Sequence, residues 1–588
     1  MSERLIPFGE ISESFKGLKD EGIYYVDKTG FISYLIGQRR NICVYTRPRR
    51  FGKTLMLRTL ETFFEYVLDD AGRPVDNRHY FEGLKVMDAG EDVLKHLGQY
   101  PVISLSFKDI KVNTYEMVVA QLRGAVRRAC EPYEKLLKDS GVLSTAQLKT
   151  FQGYLDRESS EEDLMQFFEI IMGWIYKATK RKTVILLDEY DVPLQQAAIY
   201  DNHHPGSDLF EKTVKLVGNF ISSGFKSNDS LVYGVISGCM RVAKESIFTG
   251  MNNPGVIDVM SDEMPDEYWG FTEAEVKRML SYYGIADQYE EIERWYDGYS
   301  FGGRKVFNPW SLLNAIRALV NRSQSPFQPY WVMTSGNDII DDVIERNPQH
   351  REIIEKLMNG DSLRVKIYKN ISYRDLKQNP DAIWSFLLYT GYLKALSVSK
   401  GEYDLLEADV TVPNTEIKTV IRSSLQHWWK HIHLAKYDAH VLLQNLWNGD
   451  TDGIVREISG IMSESISVND AKEDFYQGML VGVLSTLCKV KSNREHGEGR
   501  PDIVVNEGNR AIILELKCLV PSLVSKMPLA EQFVKVPAMM NELLDEAETQ
   551  IRTRYYIEGV MFEEPNITEV KAYAVCFCKK RCMVRVVR

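Results

Sequence analysis

Residues whose types and spacing suit phosphate chemistry occur together in "TRPRRFGKTLML", residues 46–57. Gly52 lets the backbone approach a phosphate closely, the Lys53 ammonium can reach the outer phosphates of a nucleotide, and the Thr54 hydroxyl can hold Mg²⁺. The stretch follows the apolar run "NICVY" and precedes a segment of helical periodicity. Backbone N–H groups and the helix dipole converge on an anion where a buried strand passes into a helix. The pattern therefore predicts a phosphate-binding loop.

The loop departs from the usual pattern of glycine, four residues and Gly-Lys-Ser/Thr, because Arg47 stands at the first glycine. Pro48 is a candidate for fixing the turn in another way. Arg49 or Arg50 can add positive charge to a loop that otherwise relies on N–H groups. We therefore include Arg47, Arg49 and Arg50 in the predicted nucleotide site.

Polar residues at the ends of two later apolar runs complete the predicted nucleotide site. The run "TVILLDEYD" ends in Asp188, which can hold Mg²⁺ through water, and in Glu189, which can polarise the attacking water. The run "LVYGVISG" ends in Ser237, a candidate sensor of the γ-phosphate, with Arg241 and Asn252 beyond it. These elements, in this order on an α/β pattern, predict a P-loop NTPase with ATP and Mg²⁺ as cofactors.

A second set of charged residues lies near the C-terminus. Asp502 and Glu515 flank a predicted hairpin with the turn "NEGNR", and period two places Glu515 and Lys517 on one face of "AIILELK". Burying such charges is costly unless a partner such as a divalent metal compensates them. Asp502, Glu515 and the Leu516 carbonyl can hold Mg²⁺ or Mn²⁺ beside a scissile phosphate, while Lys517 positions or activates water. This is the pattern of PD-(D/E)xK nucleases, and the competing interpretation is an exposed antiparallel strand.

Two predicted helices flank this hairpin. Glu473 shares a helical face with Tyr476 and Leu480, so it can lean toward the sheet as a further metal ligand or an orienting acid. Gln550 lies on the helix that follows the hairpin and is included as a catalytic candidate. Four nearby arginines are candidates for gripping a nucleic-acid backbone: Arg494, Arg500, Arg552 and Arg554.

Composition limits the class of protein. The chain has 588 residues and a net charge of −10, so it is not a globally basic nucleic-acid protein, and phosphate contacts must come from local basic patches such as residues 39–58 and the C-terminal "KKRCMVRVVR". The eight cysteines show no paired spacing, and Cys576, Cys578 and Cys582 are assigned to structure rather than to zinc. Neither a signal-peptide core nor an apolar span of ~20 residues occurs, so we expect a soluble, cytoplasmic protein without membrane contact.

The pattern of apolar runs predicts an α/β protein of three domains. Residues 1–260 form a P-loop parallel sheet, because their runs are apolar on both faces. Residues 261–440 form a helical lid or middle domain, and residues 441–588 form a restriction-endonuclease-like α/β domain. Several aromatic residues of the middle can stack on bases or fill a core, and the core is favoured: Trp295, Tyr299, Phe301, Trp331 and Trp384.

Over nearly its whole length the sequence resembles the bacterial AAA-ATPase-like family, whose members usually carry a C-terminal PD-(D/E)xK nuclease-superfamily domain. The resemblance rests on "YYVDKTGFI", "TRPRRFGKTLML", "LLDEYD", "SGCMRVAKESIFTGMNN", "WYDGYSFGGRKVFNPWSLL", "YWVMTSGND" and "GYL". It implies that Arg47 is a family trait, that ATP binds at Gly52, Lys53 and Thr54, and that Asp188 and Glu189 have Walker-B roles. It also implies nuclease-type positions at Glu473, Asp502, Glu515, Lys517 and Gln550. Roles in mobile elements or defence follow by analogy.

Three functional hypotheses follow. The leading one is an ATPase and Mg²⁺-dependent nuclease, in which the nucleotide state gates cleavage of nucleic acid, with DNA favoured over RNA. The second is a nucleotide-switched nucleic-acid-binding protein with an inactive nuclease fold. The third, a small-molecule kinase or GTPase, is disfavoured because no guanine-reading Asn-Lys-x-Asp motif accompanies the loop. Homo-oligomerisation is a further expectation, because AAA-type ATPases often take an arginine from a neighbour, and Arg241 is a candidate donor.

Overall fold

The computed structural model divides into two compact units, Met1–Met333 with Arg364–Glu416 and Thr334–Leu363 with Ile417–Arg588. It describes residues 13–587 except 39, 70–71, 111, 227, 241–253, 262–265, 302–303, 332–347, 359, 370, 372–378, 380, 402–404, 434–438, 466–472, 486, 493–500, 521–522 and 525–526. Among the described helices, none has the length and apolar content needed to cross a bilayer.

The first unit is built on a five-stranded parallel sheet with the order β2-β3-β4-β1-β5. The strands are buried on both faces, which confirms the prediction from their continuous apolar runs. Their bounds are β1 Ile42–Thr46, β2 Val102–Ser106, β3 Thr183–Asp188, β4 Leu231–Gly238 and β5 Gly255–Ile257.

Helices cover this sheet, and α3 starts directly at the predicted phosphate loop. Its buried face carries Met56, Leu60 and Phe63, which join the core formed with Val184, Leu186 and other strand residues. The helices of this region are α1 Phe15–Asp20, α2 Gly30–Gly37, α3 Lys53–Phe64, α4 Glu91–Leu94, α5 Tyr115–Cys130, α6 Glu134–Asp139, α7 Thr145–Asp156, α8 Glu161–Met165, α9 Phe167–Thr179, α10 Val192–His203 and α11 Leu209–Phe225.

The middle of the chain holds many helices, as predicted, together with two small sheets. Its helices are α12 Glu273–Tyr282, α13 Tyr289–Tyr296, α14 Pro309–Val320, α15 Pro348–Met358, α16 Ala382–Thr390 and α17 Thr415–His433. The strands β6 Tyr299–Phe301 and β7 Arg304–Val306 form a hairpin, and β8 Leu363–Ile367, β9 Lys394–Lys400 and β10 Leu406–Thr411 form a sheet of order β8-β10-β9. The division into three domains at residues 260 and 440 stays a prediction.

The second unit contains a five-stranded sheet in which the strands follow chain order from β11 to β15. The strands are β11 Lys489–Ser492, β12 Ile503–Glu507, β13 Arg510–Cys518, β14 Glu569–Cys578 and β15 Arg581–Val587, and only the β13–β14 pair is parallel. The helices are α18 Ala439–Asn448, α19 Thr451–Ser465, α20 Glu473–Leu484, α21 Leu529–Thr553 and α22 Tyr556–Glu563. Gly508 in the β12–β13 turn has φ +63°, as expected for the predicted hairpin.

Close packing at Gly234 of β4 generates a stability prediction. A Cβ at this position would lie 2.3 Å from Cε1 and 2.8 Å from Cδ1 of Phe225, whose side chain is buried. We expect Gly234→Ala to destabilise the protein by about 1–3 kcal/mol through overpacking, seen as a lower melting temperature in calorimetry.

The matched control is Gly173→Ala inside α9, where an added Cβ meets nothing within 4 Å. There the substitution should stabilise by about 0.5–1 kcal/mol, because alanine has the better helix propensity. Equal melting temperatures for the two variants would contradict the packing described for β4.

Candidate functional site

The loop between β1 and α3 forms its turn with two residues in the left-handed region. Arg50 has φ +69° and Gly52, the residue before α3, has φ +78°. Glycine adopts this conformation without a steric penalty, whereas arginine needs support from its surroundings. The Arg50 guanidinium receives such support, because it lies 4.2 Å from the ring centroid of Trp310. The loop therefore turns at residues 50 and 52, which explains how it forms without a glycine at 47.

Arg47 connects the loop to neighbouring strands. Its side chain is fully buried, and Nη1 donates hydrogen bonds to the carbonyls of Thr46 (2.9 Å) and Ile257 (3.3 Å). Its backbone N–H donates to the carbonyl of Gly238 at the end of β4, and the guanidinium lies 5.3 Å from the ring centroid of Phe301. These contacts hold the start of the loop against β4 and β5. A direct contact between Arg47 and nucleotide stays a prediction.

Lys53 is the first residue of α3 and is buried against the loop. Its Nζ donates to the carbonyls of Arg47 and Pro48, both at 3.0 Å, and lies 3.6 Å from Sγ of Cys239. The two carbonyl partners carry no formal charge. A hydrogen bond between two ionised groups is stronger than one to a neutral carbonyl. A phosphate oxygen therefore competes well for this ammonium.

The structure brings together three of the residues predicted to surround the nucleotide-bound cation. The Thr54 hydroxyl donates to Oδ2 of Asp188 at 2.6 Å, and the Ser237 hydroxyl donates to Oδ1 of the same carboxylate. The three residues come from α3, β3 and β4, and they meet because parallel strands end at one edge of the sheet. Carboxylate and hydroxyl oxygens are the ligands that Mg²⁺ prefers, so this set fits the predicted cation.

Glu189 follows Asp188 in a left-handed conformation, with φ +51°. Burial raises the pKa of its carboxyl group, the charges of Asp188 and Asp191 add to this effect, and those of Lys53 and Arg49 oppose it. A carboxylate whose pKa is raised beside a phosphate loop suits a general base.

Asp191 is a buried acid of this region that the sequence analysis missed. Its Oδ2 accepts hydrogen bonds from the backbone N–H groups of Cys239 and Met240, both at 3.0 Å, and from Nε2 of Gln195 at 2.6 Å. Gln195 in turn accepts a long hydrogen bond from Nη2 of Arg49 (3.5 Å). Asp191 thus fixes the chain just after Ser237. The available signal was the second aspartate of "DEYD", three residues after Asp188.

Aromatic residues of the middle segment enclose the phosphate loop, and we call Tyr299, Phe301, Trp310 and Trp331 the aromatic cap. Phe51 of the loop is buried with its ring centroid 4.9 Å from that of Tyr299 and 5.0 Å from that of Phe301. The Trp331 indole N–H donates to the Arg49 carbonyl at 3.3 Å. Tyr299, Phe301, Trp331 and Trp384 are buried, as the core interpretation expects, whereas Trp295 is half-buried and its indole N–H donates to Oε1 of Glu291 at 3.1 Å.

In the second unit, strand register brings together the predicted nuclease residues. Ile503 pairs with Leu514 in the antiparallel β12–β13 ladder, so Asp502 lies across from Glu515 one step further along. Oδ2 of Asp502 accepts a hydrogen bond from the backbone N–H of Leu516 at 2.7 Å, and its carbonyl accepts one from Gln477 at 2.7 Å. These bonds fix the residue that precedes β12 against the end of β13.

Glu515 is a buried carboxylate that is only partly satisfied. Its exposed fraction is 1%, Oε1 lies 3.3 Å from Nζ of Lys517, and Oε2 has no hydrogen-bond partner among the described residues. Burial and the Asp502 charge raise the pKa of Glu515 to about 7. Burial alone would lower the pKa of Lys517, but the charges of Glu515, Glu473 and Asp502 outweigh it and raise that pKa.

These features fit a divalent cation beside Glu515, because a positive ligand satisfies a lone buried carboxylate oxygen. The described residues contain no group of three His, Cys, Asp or Glu side chains placed to hold a metal ion. A cation here would therefore rely on Asp502, Glu515, a backbone carbonyl and water.

Glu473 and Gln550 both lie near this centre. Glu473 is the first residue of α20, and its charge acts on Lys517. Nε2 of Gln550 donates to the hydroxyl of the buried Tyr556 at 3.1 Å. Burial raises the pKa of Tyr556, and the charges of Glu515 and Asp502 contribute to the increase. Tyr556 was not among the residues predicted from the sequence, although its position shortly after Gln550 was a usable signal.

Four predicted residues lie outside the described part of the chain: Arg241, Asn252, Arg494 and Arg500. The other two arginines differ from each other. Arg552 pairs with Glu548 at 2.9 Å, whereas the exposed Arg554 side chain makes no hydrogen bond or ion pair with a described residue. Cys576 and Cys578 are free thiols buried in the core between the sheet and α21.

Comparison with known proteins finds a family match for the N-terminal part of the chain and another for the C-terminal part. The profile of a family described as predicted AAA-ATPase matches residues 10–248, and the profile of the PD-(D/E)xK nuclease superfamily matches residues 471–586. An uncharacterized protein in the vnfD 5′ region of Azotobacter chroococcum mcd 1 is 28% identical over 363 residues, which are 62% of this chain and 60% of that protein. The chain therefore carries an AAA-ATPase-like domain in residues 10–248 and a PD-(D/E)xK nuclease-superfamily domain in residues 471–586.

Proposed function

We propose that the protein is an ATP-dependent nuclease, in which nucleotide bound to the first domain controls metal-dependent cleavage of nucleic-acid phosphodiester bonds by the last. One observation carries this proposal. Two buried carboxylates, Asp188 at the end of β3 and Glu515 within β13, each lie beside side chains that suit a phosphate and its cation. A role in mobile elements or defence follows by analogy alone.

In the first domain, each residue has a role set by its position. Lys53 binds the outer phosphates of ATP, and Thr54 and Asp188 hold the Mg²⁺ that accompanies them. Ser237 touches Asp188 and senses the γ-phosphate. Glu189, with its raised pKa, takes the proton of the attacking water.

In the last domain, Asp502 and Glu515 hold a divalent cation, which when bound supplies Lewis acidity at the scissile phosphate. Lys517 lies next to Glu515, so its ammonium positions the attacking water and stabilises negative charge. The charges of Glu515 and Glu473 raise the pKa of Lys517 and so stabilise its ammonium, and Gln550 donates a hydrogen bond to Tyr556. DNA is favoured over RNA as substrate. Contacts to the nucleic-acid backbone carry no information on the base sequence.

The cleavage assay tests this proposal directly. Purified protein incubated with DNA or RNA, ATP and Mg²⁺ or Mn²⁺ should release shorter fragments, and Lys517→Ala should lower the rate at least ~100-fold, as for loss of a charge-stabilising group. The matched control is Lys489→Ala, an exposed lysine at the far end of the same sheet.

If no combination of metal and nucleotide gives cleavage, while ATP still changes nucleic-acid retention, the protein is instead a nucleotide-switched binding module. Nucleic-acid retention that is unchanged in the Glu515→Ala variant would then show that binding does not depend on the predicted metal site.

Nucleotide binding gives a second prediction. Lys53→Ala should weaken ATP binding at least ~10-fold in isothermal titration, because it removes the ammonium next to the loop carbonyls. Lys277→Ala, an exposed lysine paired with Glu273, should leave ATP affinity unchanged. An unchanged ATP affinity in the Lys53→Ala variant would contradict the proposed binding of nucleotide phosphates by this loop.

Metal binding gives a third prediction, with a sign set by the Glu515 pKa of about 7. A cation binds the ionised carboxylate, so protons compete with it below this pH. The apparent Kd for Mn²⁺ should rise by up to ~10-fold per pH unit as the pH falls below 7 and should level off above 8, measured by paramagnetic relaxation.

In the Glu515→Gln variant this pH dependence should vanish together with most of the affinity. A Kd for Mn²⁺ in the wild-type protein that does not change between pH 6 and pH 8 would contradict the assignment of Glu515 as a ligand.

A further inference from the structure

The turn between α21 and α22 places one pair of residues inward and another pair outward. Gln550 and Tyr556 point into the domain, where Nε2 of Gln550 donates a hydrogen bond of 3.1 Å to the Tyr556 hydroxyl. The charges of Glu515 and Asp502 contribute to the raised pKa of Tyr556. Arg554 and Tyr555 lie between them in sequence and are exposed to solvent. The two outward residues therefore lie, in sequence, between two residues that belong to the candidate nuclease centre.

The backbone of Tyr555 produces this division. Tyr555 has φ +53° and ψ +41°, a left-handed conformation that is unusual for a bulky residue. It reverses the chain between the two helices, with its N–H bonded to the Arg552 carbonyl and its carbonyl bonded to the Gly559 N–H. As a result Tyr556 is fully buried, while 54% of its neighbour Tyr555 is exposed.

The position of the turn links it to the predicted metal ligands. Helix α22 packs against β13 and β14, the strands that carry Glu515 and its parallel neighbour Ala574. Tyr555 directly precedes Tyr556, whose hydroxyl accepts the hydrogen bond from Gln550, the nuclease-type candidate on α21. The turn therefore joins the two helices that carry Gln550 and Tyr556 on the sheet of Asp502 and Glu515.

The chemistry of the two residues matches one kind of ligand. Arg554 makes no ion pair with a described residue, whereas Arg552, two residues earlier, is paired with Glu548. An exposed aromatic ring beside an uncompensated guanidinium is the combination that binds single-stranded nucleic acid, because the ring stacks on an unpaired base and the cation contacts the phosphate.

We propose that Arg554 and Tyr555 form the substrate-strand contact of the nuclease domain, in which Tyr555 stacks on an unpaired base and Arg554 binds a neighbouring backbone phosphate. The substrate class is therefore a single-stranded polynucleotide. This inference rests on the proposed nuclease function for its biological meaning, but it concerns binding and is tested without cleavage.

The test measures binding of the full-length protein to a fluorescent single-stranded DNA oligonucleotide by anisotropy, with Ca²⁺ in place of Mg²⁺ and the length of the strand checked afterwards. Tyr555→Ala should weaken binding roughly five- to hundred-fold, the usual range for one lost stacking contact. Tyr555→Phe keeps the ring and should bind as the wild type does. The same measurement on a matched duplex should show no effect of Tyr555→Ala, because paired bases are not available for stacking.

Two matched controls sharpen the result. Phe562, an aromatic residue of α22 that is 86% exposed, should tolerate alanine without loss of affinity. Arg554→Gln should reduce the salt dependence of binding by about 0.7 in slope, the contribution of one phosphate contact to a single strand. Arg552→Gln removes the same charge from a pair and should leave the slope unchanged.

Several outcomes would overturn the inference: equal losses for Tyr555→Ala and Phe562→Ala, a loss in Tyr555→Phe as large as in Tyr555→Ala, or identical slopes for the two arginine variants. If the wild-type protein binds no polynucleotide at all, the nuclease proposal falls with it. If binding follows the expected pattern but no cleavage occurs, the strand contact stands and the nuclease activity does not. An RNA oligonucleotide of the same sequence separates a preference for sugar type from the stacking contact.

Discussion

The carboxylate of Asp188 is the contact on which the first site depends. Its two oxygens accept hydrogen bonds from Thr54 and Ser237, so one buried side chain at the end of β3 joins α3 and β4. A buried carboxylate is costly unless it is hydrogen-bonded, and the two hydroxyls remove much of this cost without a positive charge. The same oxygens are suitable ligands for Mg²⁺. A bound Mg²⁺ would therefore replace the hydroxyl hydrogen bonds of the Asp188 carboxylate. The position of this carboxylate is already fixed by the parallel strands.

The second site differs because its buried carboxylate is only partly satisfied, through the contact of Oε1 with Lys517. Oε2 of Glu515 lacks a hydrogen-bond partner among the described residues, and burial raises the pKa to about 7 from an ordinary value of 4.5. The folded state binds this proton more tightly than the unfolded state does, so the contribution of Glu515 to stability falls as the pH rises from 4.5 to about 7. At neutral pH the domain thus carries an unfavourable charge that a divalent cation would compensate. Carboxyl groups with strongly raised pKa values cluster at functional sites.

Local sequence patterns were sufficient for the strands, the strand–loop–helix junction between β1 and α3 and the hairpin that places Asp502 across from Glu515, because these depend on periodicity, turn residues and short-range register. They were not sufficient for contacts between distant segments. Asp191 reaches the backbone of Cys239 and Met240, and Trp331 reaches the Arg49 carbonyl, across intervals in which no local signal links the partners. The turn at Arg50 and Gly52 was missed for a related reason, since a left-handed arginine is stable only with the support of Trp310 from another part of the chain.

The aromatic cap makes the geometry of the phosphate loop depend on the middle of the chain. The Arg49 carbonyl accepts from the Trp331 indole, and the Trp331 backbone N–H donates to Glu416 at 2.9 Å. Glu416 is the second residue of α17, a helix whose later residues belong to the second unit. Closely packed interiors tend to change between discrete arrangements rather than deform continuously. A shift of the loop on binding ATP would therefore be either blocked by the Trp331–Glu416 contact or accompanied by its rearrangement. The control of cleavage by nucleotide that we propose requires an element with two discrete arrangements. Physical contact between neighbouring residues does not by itself make two sites interdependent.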